Sequence, residues 1–179
     1  MLQISIPAGE LWDERLQEFV SVEPRVLELE HSLVSLSKWE SKWNKAFLSK
    51  ESKTLEETID YIRCMTLTQN VKPETYMGIT NEHINAVNNY IEAPMTATTI
   101  SKHNGKKSKE IVTSELIYYW MISLQIPFEC QYWHLNRLMM LIQVCNIKNT
   151  PPKKMSRRSI MSRNAALNAA RRKQFNSNG

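Results

Sequence analysis

Glycine is nearly missing from this chain. Gly9, Gly78, Gly105 and Gly179 are the four in 179 residues, and no two are close together. A loop that cradles phosphate needs glycines a few residues apart, so a nucleotide site of that kind is excluded. Cysteine is scarce and odd in number: Cys64, Cys130 and Cys145, in apolar surroundings and without a C-x-x-C pair. That pattern points to reduced, packed thiols in a cytosolic compartment. Long apolar runs are lacking too. A bilayer-spanning helix needs about 18 or more apolar residues. The longest apolar stretch here is interrupted by Ser123, Gln125 and Pro127. The opening residues, MLQISIPAGE, have neither a basic start nor a long apolar core, so no signal peptide is expected.

Acidic residues are absent from one end. Residues 148–179 carry nine Lys and Arg and no Asp or Glu, for +9. Residues 1–147 hold the other 14 basic residues and all 18 acidic ones, for −4. The chain is a mildly acidic body with a strongly basic tail. Paired prolines, Pro151-Pro152, in polar surroundings read as the linker between them.

What is present is mostly helical patterning, and its centre is the stretch from Glu110 to Asn146. Leu135, Leu138, Met139, Ile142 and Cys145 recur at helical spacing, which predicts a helix over about 128–145 entered at Pro127. Leu116 to Ile122 is apolar all round. Its length argues for a fully buried helix from Lys109 to Leu124, capped by Ser108 with Glu110 in its first turn. The short connection at Ile126-Pro127 then makes the two an antiparallel αα-hairpin.

The flanking elements follow from local signals. Leu2 to Ile6 alternates as a strand. Phe19–Val22 and Val26–His31, around Glu23-Pro24, predict a β-hairpin with Leu27, Leu29 and His31 on one face and Glu28 and Glu30 on the other. Leu33, Leu36, Trp39 or Glu40, Trp43 and Phe47 predict an amphipathic helix. Its i,i+4 pair, Trp39 and Trp43, is expected to cover the sheet, and both are candidate partner contacts. Thr54 and Glu57 form a capping box for a helix carrying Leu55, Ile59, Ile62 and Met65 inward and ending near Thr68. Thr80 or Asn81 caps the next, with Ile84, Val87 and Ile91 inward and a stop at Pro94. Pro73 and Gly78 mark a turn, and residues 101–108 a solvated loop.

Chemistry is thin. Cys130 and His134 stand four apart, a spacing compatible with a metal, but two ligands are not a site. A packed cysteine and a hydrogen-bonded histidine are far commoner explanations of such a pair. No nucleophile, base and oxyanion donor converge, so the chain is read as non-enzymatic, without metal or cofactor. The tail is the surface that calls for a function. Arg157, Arg158, Arg163, Arg171, Arg172 and Lys173, with Lys153 and Lys154, suit an acidic protein surface or phosphates. A protein partner fits better, because an acidic body repels a duplex laid across it, and Phe175 is the tail's single aromatic for base stacking. The segment from Ser156 to Lys173 is rich in helix formers but sparse in apolar positions, so it is expected to be ordered by a partner. The overall expectation is a mainly α (α+β) fold. Residues 1–147 form a compact helical body with a small N-terminal antiparallel sheet, and 148–179 a linker and basic helical tail.

Several strings resemble those of small proteins from the tail-gene modules of long-tailed bacteriophages. They are LEHSLVSLSKWESKW (29–43), YIRCMT (61–66), IPFEC (126–130), WHLNR (133–137) and RNAALNAARR (163–172), spread over most of the chain. On them the chain resembles the tail assembly chaperones of siphovirus-type phages. The resemblance implies a non-catalytic, mostly helical protein in the host cell cytoplasm. Such a protein coats the tape measure protein, keeps it soluble, and is displaced as tail tube protein subunits polymerise. It implies a short and a frameshift-extended form. Self-association fits the same picture. Two alternatives stand beside it: a structural neck or tail component of the virion, and a nucleic-acid-binding protein acting through the tail.

Overall fold

The structure, a computed structural model, describes residues 1–13, 17–100, 111–151 and 156–176. It is mainly α with a small amount of antiparallel β, and it divides into two compact units, Met1–Asn146 and Ile147–Gly179. Among the described residues no helix is long and apolar enough to cross a membrane.

The first unit opens on four strands: β1 (Leu2–Ile6), β2 (Gly9–Asp13), β3 (Glu18–Val22) and β4 (Arg25–Leu29). β1, β3 and β4 lie where alternation placed them, whereas β2 was not expected, and the pairing corrects the expected hairpin. β3 does not pair with β4. Instead β1 pairs with β4 (Ile4↔Leu27, Ile6↔Arg25) and β2 with β3 (Gly9↔Val22, Asp13↔Glu18), all antiparallel. One register runs through both pairs, so Pro7 falls opposite Pro24. Neither proline has an N–H to give, and the ladder breaks there. The Glu23-Pro24 step is thus an interruption in one long ribbon, and not its turn. On the β1–β4 half, Ile4, Ile6, Leu27 and Leu29 are buried. Gln3 and Glu28 face outward and bond to each other. Gly78, at the end of the 3-10 turn Pro73–Gly78, packs beneath the joint. A Cβ there would lie 2.6 Å from Ile6 Cγ2.

The helices are α1 (Leu33–Trp43), α2 (Leu55–Met65), α3 (Asn81–Glu92), α4 (Ser114–Ser123) and α5 (Leu135–Asn149). Capping boxes start three of them. Ser32 pairs with Ser35, Thr54 with Glu57 and Thr80 with His83, each side chain closing on the other's backbone N–H. α2 ends at Met65, and Leu55 at its first position is exposed, where an inward position was expected. Residues past its end rejoin the ribbon: Glu30 N–H donates to Met65 O and Leu67 N–H to Glu28 O.

α1 is the central element. Leu33, Leu36 and Trp39 are buried, and α1 packs on both α2 and α4. The tryptophans turn to α2 rather than to the sheet. Trp39 Nε1–H donates to Glu57 O (2.9 Å) and Trp43 Nε1–H to Asp60 Oδ2 (2.9 Å). Lys42 and Lys45 pair with the same two acids, Asp60 (2.5 Å) and Glu57 (2.6 Å). Glu40, buried, ties two distant segments to α1. Its Oε1 accepts Phe47 N–H (2.8 Å) and its Oε2 accepts Ser114 N–H (2.7 Å) at the start of α4. A carboxylate at a helix N-terminus also meets the positive end of the dipole.

The central pair of helices differs from expectation in three ways. α4 begins at Ser114, capped by Thr113, because residues 111–113 are not helical; the proposed cap Ser108 and first-turn Glu110 lie outside the described residues. α4 is also one-sided. Ile117 and Met121 are buried, while Tyr119 and Ile122 are each 62 % exposed. The second helix is broken: Phe128–Tyr132 is a 3-10 turn, and α5 starts only at Leu135. The break has a cause. Ser32 and His134 form a β-bridge, and Leu135 N–H donates to His31 O (2.7 Å), so the backbone there is tied to the start of α1. α4 therefore packs mainly on α1, and the expected αα-hairpin with α5 is not formed as a close pair.

Candidate functional site: a basic, exposed helix

The second unit contains α6 (Arg157–Phe175). Its residues explain its formation locally. Ala165, Ala166, Ala169 and Ala170 are strong helix formers. Ser156 caps the start by accepting Ser159 N–H (3.2 Å), and Asn176 closes the end in the left-handed conformation (φ 51°). No side chain of α6 is buried. Arg157, Arg158, Arg163, Arg171, Arg172 and Lys173 all lie on it, with no acidic residue among them. Ile160, Met161, Leu167 and Phe175 are exposed as well, and Ile160 and Leu167, seven apart, share one face.

Electrostatics divide this helix. Arg172 and Lys173 sit in the last turn, where cations are favoured by the dipole. Arg157 and Arg158 sit in the first turn, where they are disfavoured. Mutual repulsion among six cations on 19 residues adds to that cost. An anionic surface relieves both terms. Arg158 and Arg163, with Ser156, Ser159 and Ser162, line one shallow groove along the helix. Lys153 and Lys154 lie outside the described residues.

The body holds the other expected contacts. Trp39 is 1 % exposed with its indole N–H committed to α2, so it is core and has no surface to give a partner. Trp43 stacks on it (centroids 6.1 Å apart) and is half-buried. Exposed apolar side chains instead gather on α4 and the turn after it: Tyr119, Ile122, Phe128 and Tyr132. Sequence reasoning placed the first two in the core. The all-round apolar character of 116–122 hid the fact that one side faces water.

Cys130 and His134 do not meet as a site. Cys130 is buried in the 3-10 turn, and burial pushes its thiol upward, away from reactivity. His134 points into a polar seam with His31, their rings 5.1 Å apart. His134 Nδ1 accepts Asn136 N–H (3.3 Å), so the hydrogen is on Nε2, which donates to Tyr90 O (3.0 Å). His31 Nδ1 and Tyr61 OH share a 2.5 Å bond. Burial, reinforced by the facing His134, holds His31 down to about 3, and burial lowers His134 also. Both are neutral structural groups at pH 7. Among the described residues no cluster of three or more His, Cys, Asp or Glu is placed to hold a metal, and the three cysteines are free.

Comparison with known protein families, with curated proteins and with solved structures finds no match.

Proposed function

We propose that this chain is a non-catalytic chaperone that grips a long helical client, the part played by tail assembly chaperones of long-tailed bacteriophages toward the tape measure protein. The observation that carries the reading is α6: a capped 19-residue helix with six cations, exposed Ile160 and Leu167, and no buried side chain. A helix of that kind is marginal alone and gains its order from a partner. The exposed Tyr119, Ile122, Phe128 and Tyr132 give the body a second, apolar contact of the type that receives amphipathic helices. Two weak contacts on one chain suit a holdase, whose client must later be released to the polymerising tail tube protein. The resemblance of several strings to phage tail-module proteins is what suggests the client and the compartment, the host cell cytoplasm.

Co-expression with the tape measure protein tests this. A soluble complex that survives purification is expected. A client that stays insoluble overturns the proposal. Mass spectrometry of purified particles separates the chaperone from a structural neck or tail component, since a chaperone is absent from the finished virion. The basic helix also favours a second reading, a nucleic-acid-binding tail. That reading requires a steeply salt-dependent affinity for DNA or RNA that is lost on deleting residues 153–179.

A further inference from the structure

A cavity of about 180 Å³ lies between α2 and α3, and the chaperone reading makes no use of it. Its apolar walls are Phe47, Tyr61, Ile62, Val87 and Ile91, and Lys53, Thr58 and Asn88 are its polar members. Phe47 and Tyr61 stack with centroids 3.9 Å apart. The cavity reaches the surface at Asn88, which is exposed.

Lys53 is the unusual member. It is half-buried, and its ammonium lies 4.2 Å from the centre of the Phe47 ring and 5.9 Å from that of Trp39. Burial lowers its pKa, with Glu57 opposing. Yet among the described residues no carboxylate is within ion-pair distance of it. Glu57, the carboxylate that acts on Lys53, is already engaged by Lys45 Nζ (2.6 Å) and Thr54 N–H (2.8 Å). Aromatic faces compensate a cation only in part. The result is a half-buried cation, attracted by Glu57 but in no ion pair among the described residues, beside a mainly apolar cavity.

We propose that this cavity binds a small molecule with one carboxylate on an apolar body, the acid on Lys53 and the body between Ile62, Val87 and Ile91. The volume limits the body. A cavity of roughly 150 Å³ lined by apolar side chains holds one benzene ring, so a single ring or a chain of about six carbons fits here. The charge sets the head group: a carboxylate supplies a charge-assisted bond to the ammonium that a neutral amide does not. The site needs neither α6 nor a second chain, so it stands or falls apart from the client-binding role.

Methyl NMR spectra of the full chain, titrated with phenylacetate and with phenylacetamide, test it. Saturable shifts of the Ile62, Val87 and Ile91 methyls are expected, with phenylacetate bound about tenfold or more tighter than the amide. In Lys53→Met, which keeps the stem and removes the charge, acid and amide should bind alike. Equal affinity of the two for the unsubstituted chain overturns the proposal, as does an acid preference that survives in Lys53→Met. Phenylacetate shifts confined to α6, or shifts that never saturate, overturn it as well.

Discussion

Acidification from about pH 7 to about pH 5 is expected to weaken the fold through His31, by an amount the structure sets. His31 is 1 % exposed, bonded to Tyr61 OH, and faces the His134 ring. Its value falls from an ordinary 6.5 to about 3, first through burial and then through repulsion by His134. The unfolded chain therefore takes up a proton that the folded chain refuses between those two values. Stability is full above the ordinary value and declines as pH drops through the window. By pH 5 the loss from His31 alone is about 2 kcal/mol, a sizeable share of a typical domain's 5–15 kcal/mol. His134 is lowered too and adds loss of the same sign. Two carboxylates do not confuse the window. Glu57 is lowered by its bond from Lys45, and Asp60 is lowered because bonds from Lys42 and Trp43 outweigh its burial. Their contributions fade only in the carboxylate range, below about pH 4.5. Urea unfolding followed by tryptophan fluorescence, at several pH values, measures the slope. His31→Asn keeps an acceptor near the Nδ1 position but cannot titrate. It should be less stable at pH 7, by about 1–3 kcal/mol for the lost ring, and flatter with pH by about 2 kcal/mol. A profile for His31→Asn as steep as that of the unsubstituted chain would refute the reasoning.

Three further expectations concern the frame. Glu40→Gln sets an amide NH₂ against one of the two backbone N–H groups that Glu40 now serves. It should cost about 2–3 kcal/mol by urea unfolding, against under about 0.5 for the exposed Glu56→Gln. Gly78→Ala forces a Cβ toward Ile6 Cγ2 beneath the proline joint; it should lower stability by about 1–3 kcal/mol, read as a drop in Tm. Trp43→Phe removes the donor to Asp60 Oδ2 while keeping most of the stacking on Trp39. A loss of about 1–2 kcal/mol in urea unfolding is expected, and none would show that this bond is not made.

Local signals in the sequence carried much of this fold. Thr54 with Glu57, and Thr80 or Asn81 ahead of Ile84, Val87 and Ile91, mark helix starts through contacts within four residues; the first box forms as read, and of the second pair Thr80 is the cap. Leu27 and Leu29 alternate with Glu28, so the strand and its buried face were legible. Partner choice was not. Pro24 looks like a turn residue, and only the register shows it standing opposite Pro7. The same limit applies to residues 128–134. Their apolar spacing continues that of α5, but tertiary bonds from His31 and Ser32 break the helix at His134. Lys53 left no trace in the sequence, because Phe47, Ile62, Val87 and Ile91 meet only after α2 and α3 are placed. α6 is the opposite case. Its charge and its sparse apolar positions are properties of the string itself.

The client-binding reading rests most directly on α6, and one titration addresses it. The full chain and a variant with Arg157, Arg158, Arg163, Arg171, Arg172 and Lys173 all changed to Gln are compared for affinity to purified tape measure segments and to a DNA duplex at physiological salt. The proposal predicts that the unsubstituted chain binds the protein client and that the variant, equally folded, binds it at least about tenfold more weakly. Equal client affinity in both chains, or a preference for the duplex over the client, would contradict it.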